Sequence, residues 1–127
     1  MENVKDKLLG ELYYEHAWIK TDMLEYNGIN LMIIFQAFSN ETVSDEQKAL
    51  YIRVVGNFAK IIEKAHSALM SRLGDNICDI IINGIYFNRF NEFGLLCENE
   101  GWEEHGLAVK YDENMNVNEI GSQDIMF

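Results

Sequence analysis

Residues 17–38 constrain the fold most. They read AWIKTDMLEY, then Asn27-Gly28, then INLMIIFQAF. An Asn-Gly pair tolerates the positive φ angles of a two-residue type I′ turn, whose twist matches the flanking strands, so the stretch is predicted as a β-hairpin. A two-residue loop also sets the register: Tyr26 opposite Ile29, Leu24 opposite Leu31, Asp22 opposite Ile33 and Lys20 opposite Phe35. One face then carries Trp18, Leu24, Tyr26, Leu31, Ile33 and Phe35. The other carries Ile19, Met23, Met32, Ile34 and Phe38. The strand from Ile29 to Phe38 is thus apolar on both sides, unlike an antiparallel strand with one wet face. Either the C-terminal half of the chain or another chain must cover the second face.

The polar break SNETVSDEQ follows, and it contains a helix start. Ser44 as N-cap with Gln47 three residues later makes a capping box, and Asp45 and Glu46 sit where the helix dipole favours negative charge. Apolar residues then recur at Tyr51, Val55, Phe58, Ile62, Ala65, Leu69 and Leu73, the spacing of one helical stripe, broadened by Val54 and Ile61. Residues 45 to about 73 are therefore expected to form one long helix with Tyr51, Phe58, Ile62 and Leu69 buried. Gly74 stands at its C′ position with Arg72 in the last turn, and Gly56 is its weakest point.

Strand patterns flank this helix. Gly10 to Glu15 is a short candidate before it. After it come Ile80–Ile82 with Ile85–Phe90, then Gly94–Cys97, Leu107–Tyr111 and Val117–Ile120, separated by polar reversals at 91–93 and 112–116. Strands, one helix and more strands give an α+β fold: an antiparallel sheet with an N-terminal hairpin, one long helix packed on the sheet, and further C-terminal strands. At 127 residues the chain fits one domain, 1–127, able to bury roughly two-thirds of its unfolded surface.

Charge narrows the partners. The chain has 21 acidic and 10 basic residues and a formal net charge of -11. A field of that sign repels phosphate backbones and steers basic surfaces inward, so a basic protein partner is favoured over nucleic acid. Cys78 and Cys97 lack zinc-type spacing and are too few for a disulfide framework, so both are expected to be free thiols. No apolar run approaches membrane-spanning length and the N-terminus lacks a signal-peptide core, which gives no membrane association and a cytoplasmic expectation.

One stretch has the composition of a chemical site. GWEEHG, residues 101–106, sets Glu103, Glu104 and His105 between two glycines. A metal needs several converging ligands, and no spacing such as HExxH supplies a third. There is also no nucleophile elbow and no phosphate-cradling glycine loop. The expectation is therefore no catalytic residue, no metal and no cofactor, with a small enzyme or ligand-binding domain using Glu103, Glu104 and His105 as the alternative. GWEEHG is instead expected to be a structural corner formed by Trp102, Glu104, His105 and Gly106, with Gln123 and Asp124 bonding from the neighbouring segment. For partner binding, the N-terminal hairpin offers the aromatic anchors Tyr14, Trp18 and Tyr26 beside Glu15, Asp22 and Glu25. A structural homodimer formed through the exposed sheet face is the second alternative.

The C-terminal segment WEEHGLAVKYDENMNVNEIGSQDIMF resembles the ending of a family of small, uncharacterised bacterial domains. The resemblance rests on Trp102, on Glu104-His105-Gly106, on the strand Leu107 to Lys110, and on Gly121 with Gln123-Asp124-Ile125, about a quarter of the chain. It implies an α+β protein without an assigned enzyme activity. Some similar small acidic bacterial proteins are taken to be immunity proteins, so the resemblance implies a domain that neutralises a basic toxin domain.

Overall fold

Local chemistry sets the first elements. A computed structural model describes residues 3–38, 40–74, 80–99 and 106–126. Strands β1 (Val4–Asp6), β2 (Gly10–Tyr14), β3 (Trp18–Lys20), β4 (Leu24–Tyr26) and β5 (Ile29–Phe35) precede helices α1 (Asp45–Gly56) and α2 (Phe58–Leu73). Then come β6 (Ile80–Phe87), β7 (Phe93–Asn99), β8 (Leu107–Tyr111), β9 (Val117–Gly121) and a 3₁₀ helix, Gln123–Met126. The strands form one nine-stranded sheet in the order β1-β2-β3-β5-β6-β7-β8-β9, with β4 also paired to β5. The class is α+β, as the sequence indicates.

The hairpin turn lies at Asn27-Gly28, both with positive φ. Tyr26 faces Ile29 and Leu24 faces Leu31, in the expected register. Further along the register changes: Trp18, not Lys20, pairs with Phe35. Two extra residues bulge from the first strand, where the Thr21 amide turns away to donate to the Glu11 carbonyl at 3.0 Å. Because two is an even number, every side chain keeps its face. Leu31, Ile33, Phe35 and Trp18 accordingly share the helix-covered core.

Two expectations need correction. The sheet is not wholly antiparallel: β5 and β6 run parallel, Met32 beside Gly84 through Phe35 beside Phe87. Parallel neighbours need a long crossover, and the helices supply it. That crossover also covers β5 on one face, that of Leu31, Ile33 and Phe35. Secondly, the helix is two helices. The capping box forms as expected, the Gln47 amide donating to Ser44 Oγ and the Ser44 amide to Gln47 Oε1. At Asn57, however, the backbone leaves helical geometry (φ -121°, ψ 20°), and its side-chain amide donates to the Arg53 carbonyl at 2.8 Å. Next to the flexible Gly56, a side chain that competes for backbone partners ends the helix.

The apolar stripe nonetheless runs through the break. Leu50, Val54, Phe58, Ile61, Ala65 and Leu69 are buried, whereas Tyr51 and Ile62 are half-buried and Val55 is exposed. The deepest line is thus rotated by about one residue from the expected stripe. The side chain of Leu73 lies outside the described set. Gly74 caps α2 with φ 57°, its amide donating to the Met70 carbonyl.

The segments expected at 80–82 and 85–90 are a single strand, β6, carrying an irregularity between Ile82 and Gly84. It stops at Phe87, so Arg89 and Phe90 belong to the following turn. On the helix face a ladder of rings crosses the sheet: Phe35 stacks on Phe87, and Phe93 on Tyr111 at 4.7 Å. The second face is covered in part by the chain's own C-terminal end. Met126 of the 3₁₀ helix is buried with Tyr86, Leu96 and Ala108, and Ile34 and Ile125 pack alongside.

Candidate functional site

The sequence-derived anchors are largely occupied within the fold. Trp18 is only 5% exposed, and its indole N–H donates to the Glu41 carbonyl at 2.7 Å. The Tyr14 hydroxyl donates to the Ala37 carbonyl, and its ring meets Trp18 edge-on at 5.2 Å. Tyr26 stands edge-on to Phe58 at 4.9 Å. The carboxylates Glu15, Asp22 and Glu25 do reach solvent. The apolar groups exposed beside them are Met23 and Ile29. The structure therefore leaves the three acids in solvent and withdraws the rings into packing, each held by a carbonyl or ring contributed from another element.

Of the expected corner, Trp102, Glu103, Glu104 and His105 lie outside the described residues, as does Cys78. Gly106 and Gln123 do meet. Gly106 has φ +66°, and a Cβ built there would lie 2.7 Å from Gln123 Nε2. That amide donates to the Cys97 carbonyl at 3.4 Å. Asp124 is exposed, and its described contact is with Ser122 Oγ at 3.5 Å. Among the described residues no group of three or more His, Cys, Asp or Glu side chains converges as metal ligands would.

Cys97 is a buried free thiol. Burial pushes its pKa up to about 12 and also raises that of the neighbouring Tyr111, whose hydroxyl donates to the Ile61 carbonyl. A thiol held protonated in this way is a poor nucleophile. Asp6 shifts in the opposite direction: the Lys48 ammonium at 2.7 Å holds its carboxyl below the usual range and ties the β1–β2 turn to α1.

A different surface is built with more care. Two buried polar side chains organise the end of the sheet where β5 and β6 finish side by side. Gln47 turns its amide nitrogen onto the carbonyls of Gln36, Phe87 and Asn88 at 3.0–3.3 Å. Asn88 accepts from the amides of Phe90 and Glu92 on one oxygen, and donates to Glu92 Oε1 at 2.9 Å. Gln36 Oε1 receives the Arg89 amide. Asn91 completes the turn at φ 62°, a conformation that asparagine tolerates better than most residues.

Held by these bonds, the 88–92 turn projects Phe90, which is 72% exposed. Beside it Phe38 is 59% exposed. The Arg89 guanidinium lies 4.1 Å from the centre of the Phe38 ring and 3.3 Å from Glu41. Phe90 borders a cleft of 540 Å³ that also includes Arg53, Glu92, Asp112 and Glu113. Two large apolar side chains in water on a hydrogen-bonded frame, with carboxylates around them, have the composition of a protein-docking site. Sequence reading missed it by running the strand through Phe90. Asn88 and Asn91, a pair of turn-formers bracketing Arg89-Phe90, were the available signal.

No protein-family model, no curated protein and no solved structure matches this chain. Among the described residues no helix is long and apolar enough to cross a membrane.

Proposed function

We propose that this chain is a non-enzymatic protein-binding domain whose partner presents a basic surface. The observation that supports it most is the exposed Phe90 on the turn fixed by Asn88. Such a tip loses little conformational freedom on binding, and that lowers the cost of association. Phe38 adds a second anchor, and Asp112 and Glu113 supply a rim complementary to lysine or arginine, Glu92 being already paired with Lys110 at 3.3 Å. The net charge of -11 adds long-range steering towards the same kind of partner. Neutralisation of a basic toxin domain, which the resemblance of the C-terminal segment implies, is the biological form of this proposal. The exposed carboxylates Glu15, Asp22 and Glu25 add to the acidic surface that steers the same kind of partner.

The test is co-expression with the products of adjacent genes, followed by calorimetry on any complex isolated. Phe90→Ala should weaken binding by about 2 kcal/mol or more, roughly thirtyfold. Its unfolding midpoint should stay near that of the wild type, because an exposed ring contributes little to folding. Association should also slow as salt is raised. Wild-type affinity in Phe90→Ala and Phe38→Ala would remove this surface from the proposal. Absence of any complex at low salt, together with turnover of a small substrate, would remove protein binding altogether.

A further inference from the structure

The sheet has two outer edges, and they are built differently. β1 is three residues long and carries Lys5, and short, charged strands of this kind resist pairing with other chains. β9 is longer at five residues, Val117–Gly121, and among the described residues it pairs only with β8. Among the described residues its outer row of backbone amides and carbonyls is left without a ladder partner.

Above that edge α2 leaves a groove of 610 Å³, bounded by Lys60, Glu63, Lys64 and Ser67 on the helix and by Asn116 and Val117 on the strand. Lys64 is already engaged, donating to the Met115 carbonyl and to Asn116 Oδ1 at 2.8 Å. Lys60 is exposed, one helical turn from Lys64 on the same flank. Like charges four residues apart on a helix repel one another by a few tenths of a kcal/mol. Here both line the recess beside the outer edge of β9, in a chain with only 10 lysines and arginines.

We propose that the β9 edge accepts an extended peptide segment with acidic residues at alternating positions, added as a further strand beneath the flank of α2. Backbone hydrogen bonds to β9 would supply affinity. Every second side chain would point towards α2, where Lys60 selects carboxylates and Lys64, bonded to Met115 and Asn116, adds its charge against the groove's one acid, Glu63. The charge pattern of the groove opposes that of the whole molecule, so this site differs in sign and position from the Phe90 surface and does not depend on it.

The experiment is an amide-resonance titration of the full-length chain with an acetylated heptapeptide of alternating valine and glutamate. Two control peptides carry lysine for glutamate, or N-methyl groups that remove the backbone donors. The acidic peptide should shift the β9 amides and slow their exchange, while both controls should leave them unmoved. Lys60→Gln with Lys64→Gln should weaken binding by about tenfold, the combined loss of two partly exposed charge pairs. Circular dichroism confirms that this variant remains folded. The proposal is overturned if shifts centre on another surface or if the N-methylated peptide binds equally well. It also fails if the double variant binds like the wild type, or if no shift arises at millimolar peptide.

Discussion

Replacing Phe58 by alanine should lower the unfolding free energy by about 3–5 kcal/mol, as truncation of a buried phenylalanine ordinarily does. Phe58 opens α2 directly after the break at Asn57, is buried in the main core, and receives the edge of Tyr26 at 4.9 Å. It therefore pins the joint between the helices to the hairpin, where neither neighbour can close the gap alone. Set against a total stability of about 5–15 kcal/mol for an ordinary domain, the loss is large. Urea unfolding of the two proteins measures it. A loss below about 1 kcal/mol would mean that the joint collapses around the cavity and that Phe58 is not its anchor.

The second large effect concerns the other side of the sheet. Met126→Ala should cost about 2–5 kcal/mol, because this one side chain roofs Tyr86, Leu96 and Ala108. The fit is set by Gly94: a Cβ there would lie 2.6 Å from Met126 Sδ and 2.8 Å from the Val109 carbonyl of the adjacent strand. Gly94→Ala should then cost about 1–3 kcal/mol by overpacking. The two changes should not add. Once Met126 is shortened, only the carbonyl contact remains, so the double variant should be more stable than the sum of the single losses implies. Strict additivity in chemical denaturation would show that Met126 does not rest on Gly94.

Signals confined to a few neighbouring residues were legible in the sequence. Asn27-Gly28 gave the turn, Ser44 with Gln47 the helix start, and Gly74 its end, because each rests on φ preference or a bond across three residues. The break at Asn57 was not legible, since the apolar stripe crosses it and the deciding bond is a small competition between one side-chain amide and the helix. The parallel pairing of β5 with β6 left only an indirect trace, the apolar character of β5 on both faces. That pattern requires a cover but does not specify a strand direction. Trp18 illustrates the limit for sites. An aromatic residue among carboxylates suits an interface or a core equally, and the Glu41 carbonyl that captures its indole comes from a distant loop. Phe90 failed in the opposite direction, because an apolar residue continuing a strand pattern carries no mark of exposure.

The single parallel pairing also orders events in time. On one side of it β1 to β5 join almost entirely through short turns, and on the other β6 to β9 form a meander. Each half can assemble from near neighbours on the timescale of hairpin closure. Joining them brings residue 32 to residue 84, and closing so long a stretch costs on the order of 3 kcal/mol of chain entropy before any contact offsets it. The barrier to folding should therefore lie at the β5–β6 seam, lowered by α1 and α2, which shorten the span between the two halves. A trimmed side chain at the seam, such as Ile33→Val, should accordingly slow refolding in stopped-flow experiments more than it hastens unfolding. A substitution in the outlying β9 should do the reverse.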